Sequence, residues 1–83
     1  MIEEKEFSVF QYFPDGSYEQ VKRFVGSEEA VKEAIQLASS VGAHIGTTQR
    51  VIITDGGDYC VWEWKHDLGI TFPPEVAGKL KPI

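Results

Sequence analysis

The hydrophobic positions of this chain change period twice. Phe7 to Phe13 (Phe-Ser-Val-Phe-Gln-Tyr-Phe) and Tyr18 to Val25 are dense in strand-forming residues, with Pro14-Asp15-Gly16 between them. Proline presets φ for the second position of a type I turn and Asp15 suits the third. Gly16 can take the left-handed conformation that closes a bulge-type loop. With Gly16 as that bulge, Phe13 pairs with Ser17, Tyr12 faces Tyr18 and Val9 faces Val21. A two-residue Asp-Gly turn would slip the register by one and rearrange every pair.

The period then lengthens. Ala30, Val31, Ala34, Leu37, Ala38 and Val41 form an apolar stripe, opposite Lys32, Glu33, Gln36, Ser39 and Ser40, which predicts one amphipathic helix over residues 27–41. Ser27 is placed to cap its start, Glu28 and Glu29 complement the positive end of its dipole, and Gly42 is the expected C′ residue. The stripe is alanine-rich, so the helix can approach a sheet closely if the sheet supplies the bulk.

Alternation returns over residues 47–65. Gln49 to Thr54 and Tyr59 to Lys65 read as a second hairpin joined through Asp55-Gly56-Gly57-Asp58, where two glycines can supply positive φ. Pairing across a Gly-Gly turn sets Arg50 opposite Glu63. It puts Val51, Ile53, Cys60, Trp62 and Trp64 on one face, expected beneath the helix, and Ile52, Thr54, Tyr59 and Val61 on the other. Residues 66–83 contain Gly69, Pro73-Pro74 and Pro82 and read as an irregular tail. Within it Pro74 to Ala77 suits one helical turn that Gly78 would stop, and Ile70, Phe72, Val76 and Leu80 are apolar enough to pack back.

These elements define one α+β domain over residues 1–83. The expected order is ββαββ: an antiparallel sheet of two hairpins (7–25 and 47–65), one helix on one face, and a proline-containing C-terminal tail. One helix covers one face of such a sheet. Yet both faces of the first hairpin are apolar: Phe7, Val9, Phe13, Val21 and Val25 share one, and Phe10, Tyr12, Tyr18 and Phe24 the other. The second face therefore needs the tail, another chain or a ligand to cover it. Phe10, Tyr12, Tyr18, Phe24 and Tyr59 are the candidate interface residues.

Composition narrows the partners. The chain has 83 residues, 42% hydrophobic, 12% aromatic and 25% charged, which is ordinary for a folded domain and too aromatic for a disordered one. Its net charge is −5, and Lys and Arg stand singly apart from Lys22-Arg23, so no basic stripe exists to neutralise phosphates. Nucleic acid is not an expected partner, and stacking of bases on the sheet aromatics would lack counter-charge. The acids form no run that would mimic nucleic acid. The one cysteine, Cys60, excludes an internal disulfide and a multi-cysteine zinc site, which fits a reducing, cytoplasmic setting. The charged stretch at residues 1–6 precedes no long apolar run, so neither a signal peptide nor a membrane anchor is expected.

Candidate chemistry is sparse. Asp55 and Asp58 flank a flexible turn and, with His66, are the candidate ligand-binding residues; the stretch is too short for a calcium loop, and a solvated turn explains it equally. His44, His66, Cys60 and Asp67 have neither nucleophile-base nor metal-ligand spacing, and Cys60 is expected to point into the core. Gly42-Ala-His-Ile-Gly46 follows a helix end, the wrong polarity for a phosphate loop. No catalytic residue, metal or cofactor is expected.

The hairpin-then-helix opening from Phe7 to Val41 resembles that of some antitoxins of toxin–antitoxin pairs. The resemblance is one of element order and implies, as one alternative, a partner that neutralises a basic protein. The residues themselves point first to a non-enzymatic protein-interaction module, homodimerising through the sheet face or edge. The alternative from another class is a small enzyme or ligand-binding protein with a site near Asp55 and Asp58.

Overall fold

A computed structural model describes residues 5–80. Strands β1 (Phe7–Tyr12) and β2 (Tyr18–Val25) form the first hairpin, followed by helices α1 (Ser27–Ala38) and α2 (Val41–Ile45). Strands β3 (Arg50–Thr54), β4 (Cys60–Lys65) and β5 (Gly69–Phe72) follow, and a 3-10 turn, Pro74–Val76, comes last. All pairings are antiparallel, in the order β2-β1-β3-β4-β5. The fold is α+β, with one main helix packed on one face. The helix returns the chain across the sheet after β2, so β3 pairs with β1, and the first strand of the chain is internal.

The first turn follows its residues closely. Phe13 N–H donates to the Ser17 carbonyl at 2.9 Å, Gly16 N–H donates to the Phe13 carbonyl at 3.0 Å, and Gly16 has φ +87°. Tyr12 pairs with Tyr18 as the bulge register requires. Farther along, Val9 pairs with Lys22 and not with Val21, because Val21 is an extra residue bulged from β2. A second irregularity carries Phe24 to φ +52° before Phe7 pairs with Val25.

The expected single helix is two. Ala30, Ala34 and Ala38, at the spacing of one helical face, are all buried, whereas Val31 and Val41 are exposed. Helix α1 stops at Ser39 because Ser40 turns its hydroxyl on the backbone. Ser40 Oγ donates to the Leu37 carbonyl at 2.6 Å and accepts from Ala43 N–H at 3.1 Å, capping α2. Gly42 is thus inside α2, and Gly46, at φ +92°, is the left-handed terminator. At the other end Gly26 holds the cap position expected of Ser27.

The bulk facing the alanines comes from the sheet. Val9, Val51, Ile53, Trp62, Trp64 and Ile70 form the core with Ala30, Ala34, Ala38 and Ala43. Trp64 is fully buried, and its indole N–H donates to the Leu80 carbonyl at 2.8 Å. What reads as an irregular tail thus contributes a fifth strand and then packs Val76 and Leu80 against the core on the helix side. The turn at Pro74, and the glycine that ends it at φ +87°, form where expected.

Hairpin two keeps its faces but not its register. The loop is three residues long, with Asp55 N–H donating to the Tyr59 carbonyl, and the positive φ falls on Asp58 and not on the glycines. Val61 is bulged between the pairs Thr54–Cys60 and Ile53–Trp62. Each irregularity shifts the pairing by one. Together they shift it by two, which preserves the side of Trp62 and Trp64 and puts Arg50 opposite Lys65 in place of Glu63. Cys60 lies before the bulge and is therefore exposed, not in the core.

Candidate functional site

The face opposite α1 carries Phe10, Tyr12, Tyr18, Ile52, Arg50, Glu63, Lys65 and Phe72, placed together by the pairings Phe10–Gln20, Phe10–Ile52, Ile52–Glu63 and Glu63–Phe72, with Tyr18–Tyr12–Arg50–Lys65 as the neighbouring row. Among the described residues no helix or turn packs over it, since both α1 and the Pro74 turn lie on the core side.

The aromatics of this face touch one another. The Phe10 and Tyr18 rings meet edge-on at 5.9 Å, and the Tyr12 and Tyr18 rings at 5.5 Å. The Arg50 guanidinium lies 5.0 Å from the Tyr12 ring centre, a cation–π distance. From there the contacts turn polar. Arg50 donates through Nε and a terminal nitrogen to Glu63 Oε2, and Thr71 Oγ1 donates to Glu63 Oε1 at 2.6 Å. The chain of contacts therefore runs across all five strands, from the aromatic end on β2 to the hydroxyl on β5.

Glu63 anchors its polar half. Burial pushes its carboxyl up, but the hydrogen bonds from Thr71 and Arg50, with the charges of Arg50 and Lys65, outweigh that and hold it below its ordinary value. The carboxylate is thereby kept ionised. Thr71 reaches it because Thr71 is the extra residue between the pairs Glu63–Phe72 and Trp64–Ile70.

Of the five expected interface residues, the structure brings together Phe10, Tyr12 and Tyr18. Phe24 and Tyr59 stand at the opposite end of the strands, both well exposed, with Arg23 over the Phe24 ring at 5.2 Å. Asp55, Asp58 and His66 are not brought together. The two aspartates occupy the β3–β4 turn and His66 follows the far end of β4, six residues or roughly 20 Å away. Asp55 is occupied in its own turn, Oδ1 accepting from the N–H groups of Gly57 and Tyr59 at 2.9 and 3.1 Å.

His66 instead borders a cleft of about 440 Å3 with Gln49, Arg50, Lys65, Asp67 and Leu68. Cys60 lies at the other end of β4, its thiol raised above its ordinary value first by desolvation and then by the Glu63 charge, and so a weak nucleophile. Among the described residues no three His, Cys, Asp or Glu side chains cluster as a metal site. No helix there is long and apolar enough to cross a membrane.

Sequence reasoning missed Thr71, Phe72 and Lys65 as parts of this face. The first two belong to a strand hidden behind Gly69 and Pro73. Arg50 and Glu63 were legible as cross-strand neighbours, but from the wrong register. Comparison of the chain with protein-family models, with curated proteins and with solved structures finds no match.

Proposed function

We propose that this protein is a non-enzymatic interaction module that pairs with a second copy of itself through the open sheet face. The observation that carries the reading is the contiguous Phe10–Tyr18–Tyr12 cluster on a face that no described element covers. Tyr18, on the β2 edge, is 61% exposed and Phe72, on the β5 edge, 45%, while Ile52 between them is buried. Five strands spaced about 4.8 Å apart and of 6, 8, 5, 6 and 4 residues make a face of roughly 400 Å2 in projection, so two copies would meet over on the order of 800 Å2, the size of a weak, reversible contact.

A second copy fits the charge pattern. Arg50 is matched by Glu63 within one chain, so this pair adds no net charge to the face beside the aromatic cluster. Two such faces can meet about a twofold axis without opposing like charges at the centre. Tyrosine and arginine are also the residue types that anchor interfaces most often.

Light scattering over a dilution series tests this. The wild-type chain is expected to show a dimer mass at high micromolar concentration and to dissociate on dilution. Tyr18→Glu, which places a charge at an exposed point of the cluster, is expected to stay monomeric with an unchanged circular dichroism spectrum. A wild-type monomer throughout the series overturns the reading.

A further inference from the structure

We propose that His66 and Asp67, on the cleft at the Tyr12 end of the sheet, are the two protein ligands of a site for a divalent metal of the zinc class. Neighbouring residues of a strand point to opposite faces, so the alternating pattern does not mark this pair. The turn that follows β4 at Lys65 is what sets the two side chains together.

His66 is held as a metal-binding imidazole is held. Its Nδ1 lies 2.7 Å from the Ala43 carbonyl oxygen, which can only accept, so Nδ1 carries a hydrogen and Nε2 is the nitrogen left to bind a metal. A ligating histidine ordinarily donates its other ring N–H to a carbonyl or carboxylate in this way, which fixes the ring and raises the basicity of the free nitrogen. The backbone N–H of His66 donates to the Gln49 carbonyl at 2.9 Å, and the ring meets Trp64 edge-on at 6.4 Å. These contacts fix the direction of Nε2 before any metal arrives.

Asp67 supplies the second ligand at the right separation. Its Oδ1 stands 3.6 Å from His66 Nε2. Metal bonds of about 2.0–2.1 Å at a tetrahedral angle hold a nitrogen and an oxygen roughly 3.4 Å apart, so a small rotation of the well-exposed Asp67 side chain closes the site. Gln49, on the same cleft, donates its amide nitrogen to the Gly46 carbonyl and keeps its side-chain oxygen as a further acceptor. Water would fill the remaining positions.

The two cations that border the cleft are drawn elsewhere. Arg50 donates to Glu63 Oε2, and the charge of Lys65 acts on the same carboxylate. The His66 wall is thereby left to acceptors, an imidazole nitrogen and a carboxylate. A mixed nitrogen and oxygen pair suits zinc, copper or nickel, and not magnesium, which takes oxygen ligands.

Titration calorimetry with zinc chloride at neutral pH tests the proposal, with magnesium chloride as the second arm. Saturable binding of one zinc per chain is expected, with amide chemical shifts centred on residues 65–68, and no saturable heat with magnesium. His66→Gln should abolish saturation. Asp67→Asn, at an exposed position, should keep the native spectrum and weaken zinc binding about tenfold or more, at least the effect of losing an outer-shell partner. His44→Gln should change nothing. No saturation with zinc, equal binding of magnesium, or zinc affinity that survives Asp67→Asn or falls instead in His44→Gln, the mark of an adventitious ion only, overturns the assignment.

Discussion

Replacing Glu63 by Gln removes one charge from the middle of the open face and leaves the shape nearly unchanged. The wild-type carboxylate accepts a two-nitrogen contact from Arg50 on one oxygen and a hydrogen bond from Thr71 on the other. Exposed ion pairs contribute at most about 1 kcal/mol, and hydrogen bonds to charged groups about 1.5–3. Glu63 is 17% exposed and Arg50 36%, so the pair lies between these limits, and screening favours the lower end. A loss of about 1–2 kcal/mol is expected at pH 7. For a chain of this length that lowers the melting temperature by roughly 5–12 °C.

The same substitution carries a signed pH test. The folded-state carboxyl is held below its ordinary value, so its stabilisation is fully present above the unfolded value of about 4.3. It is lost as the pH falls through the lower folded value. The stability gap between wild type and Glu63→Gln, measured by urea unfolding, should therefore be widest at pH 7 and narrow at pH 3. Equal stabilities at pH 7, or a gap that does not narrow in acid, would refute the account of Glu63 as an ionised, hydrogen-bonded centre.

Two further substitutions test how the scaffold is held. Trp64→Phe should cost about 2–3 kcal/mol in urea unfolding, combining the lost bond to the Leu80 carbonyl with the transfer and cavity terms of a smaller ring; a cost under 1 kcal/mol would mean that the C-terminal segment does not seal the core. Ser40→Ala should cost about 1 kcal/mol by removing the cap of α2. Its amide exchange should accelerate most at Ala43 and His44, and unchanged exchange there would show that the cap is not what separates the two helices.

The element types were legible in the sequence because they depend on local patterns. Alternating apolar residues around Pro14-Asp15-Gly16 dictated a hairpin and its bulge loop, and the pairing of Tyr12 with Tyr18 followed. The tryptophan face was likewise readable as the face under the helix. That reading survived an error of two in the register, since strand faces repeat every second residue. The break at Ser40 was less readable, because the apolar spacing continues to Val41 and a serine is as compatible with a helix face as with a cap.

The sequence by itself determined one helix-covered apolar face and a surplus of aromatics that one helix could not bury. Tertiary structure alone decided which of those aromatics meet, and what else meets them. Bulges at Val21, Val61 and Thr71 reset the pairing, expose Cys60, and bring Thr71 to Glu63. No local propensity encodes these bulges: an extra residue is set by how two strands pack against their neighbours. Likewise β5 is recruited by the unpaired edge of β4 despite its flanking glycine and proline, and it carries the C-terminal segment to the helix side, leaving the Phe10–Tyr12–Tyr18 face open. Patterns spaced a few residues apart fix the elements; contacts between distant segments fix the surface they present.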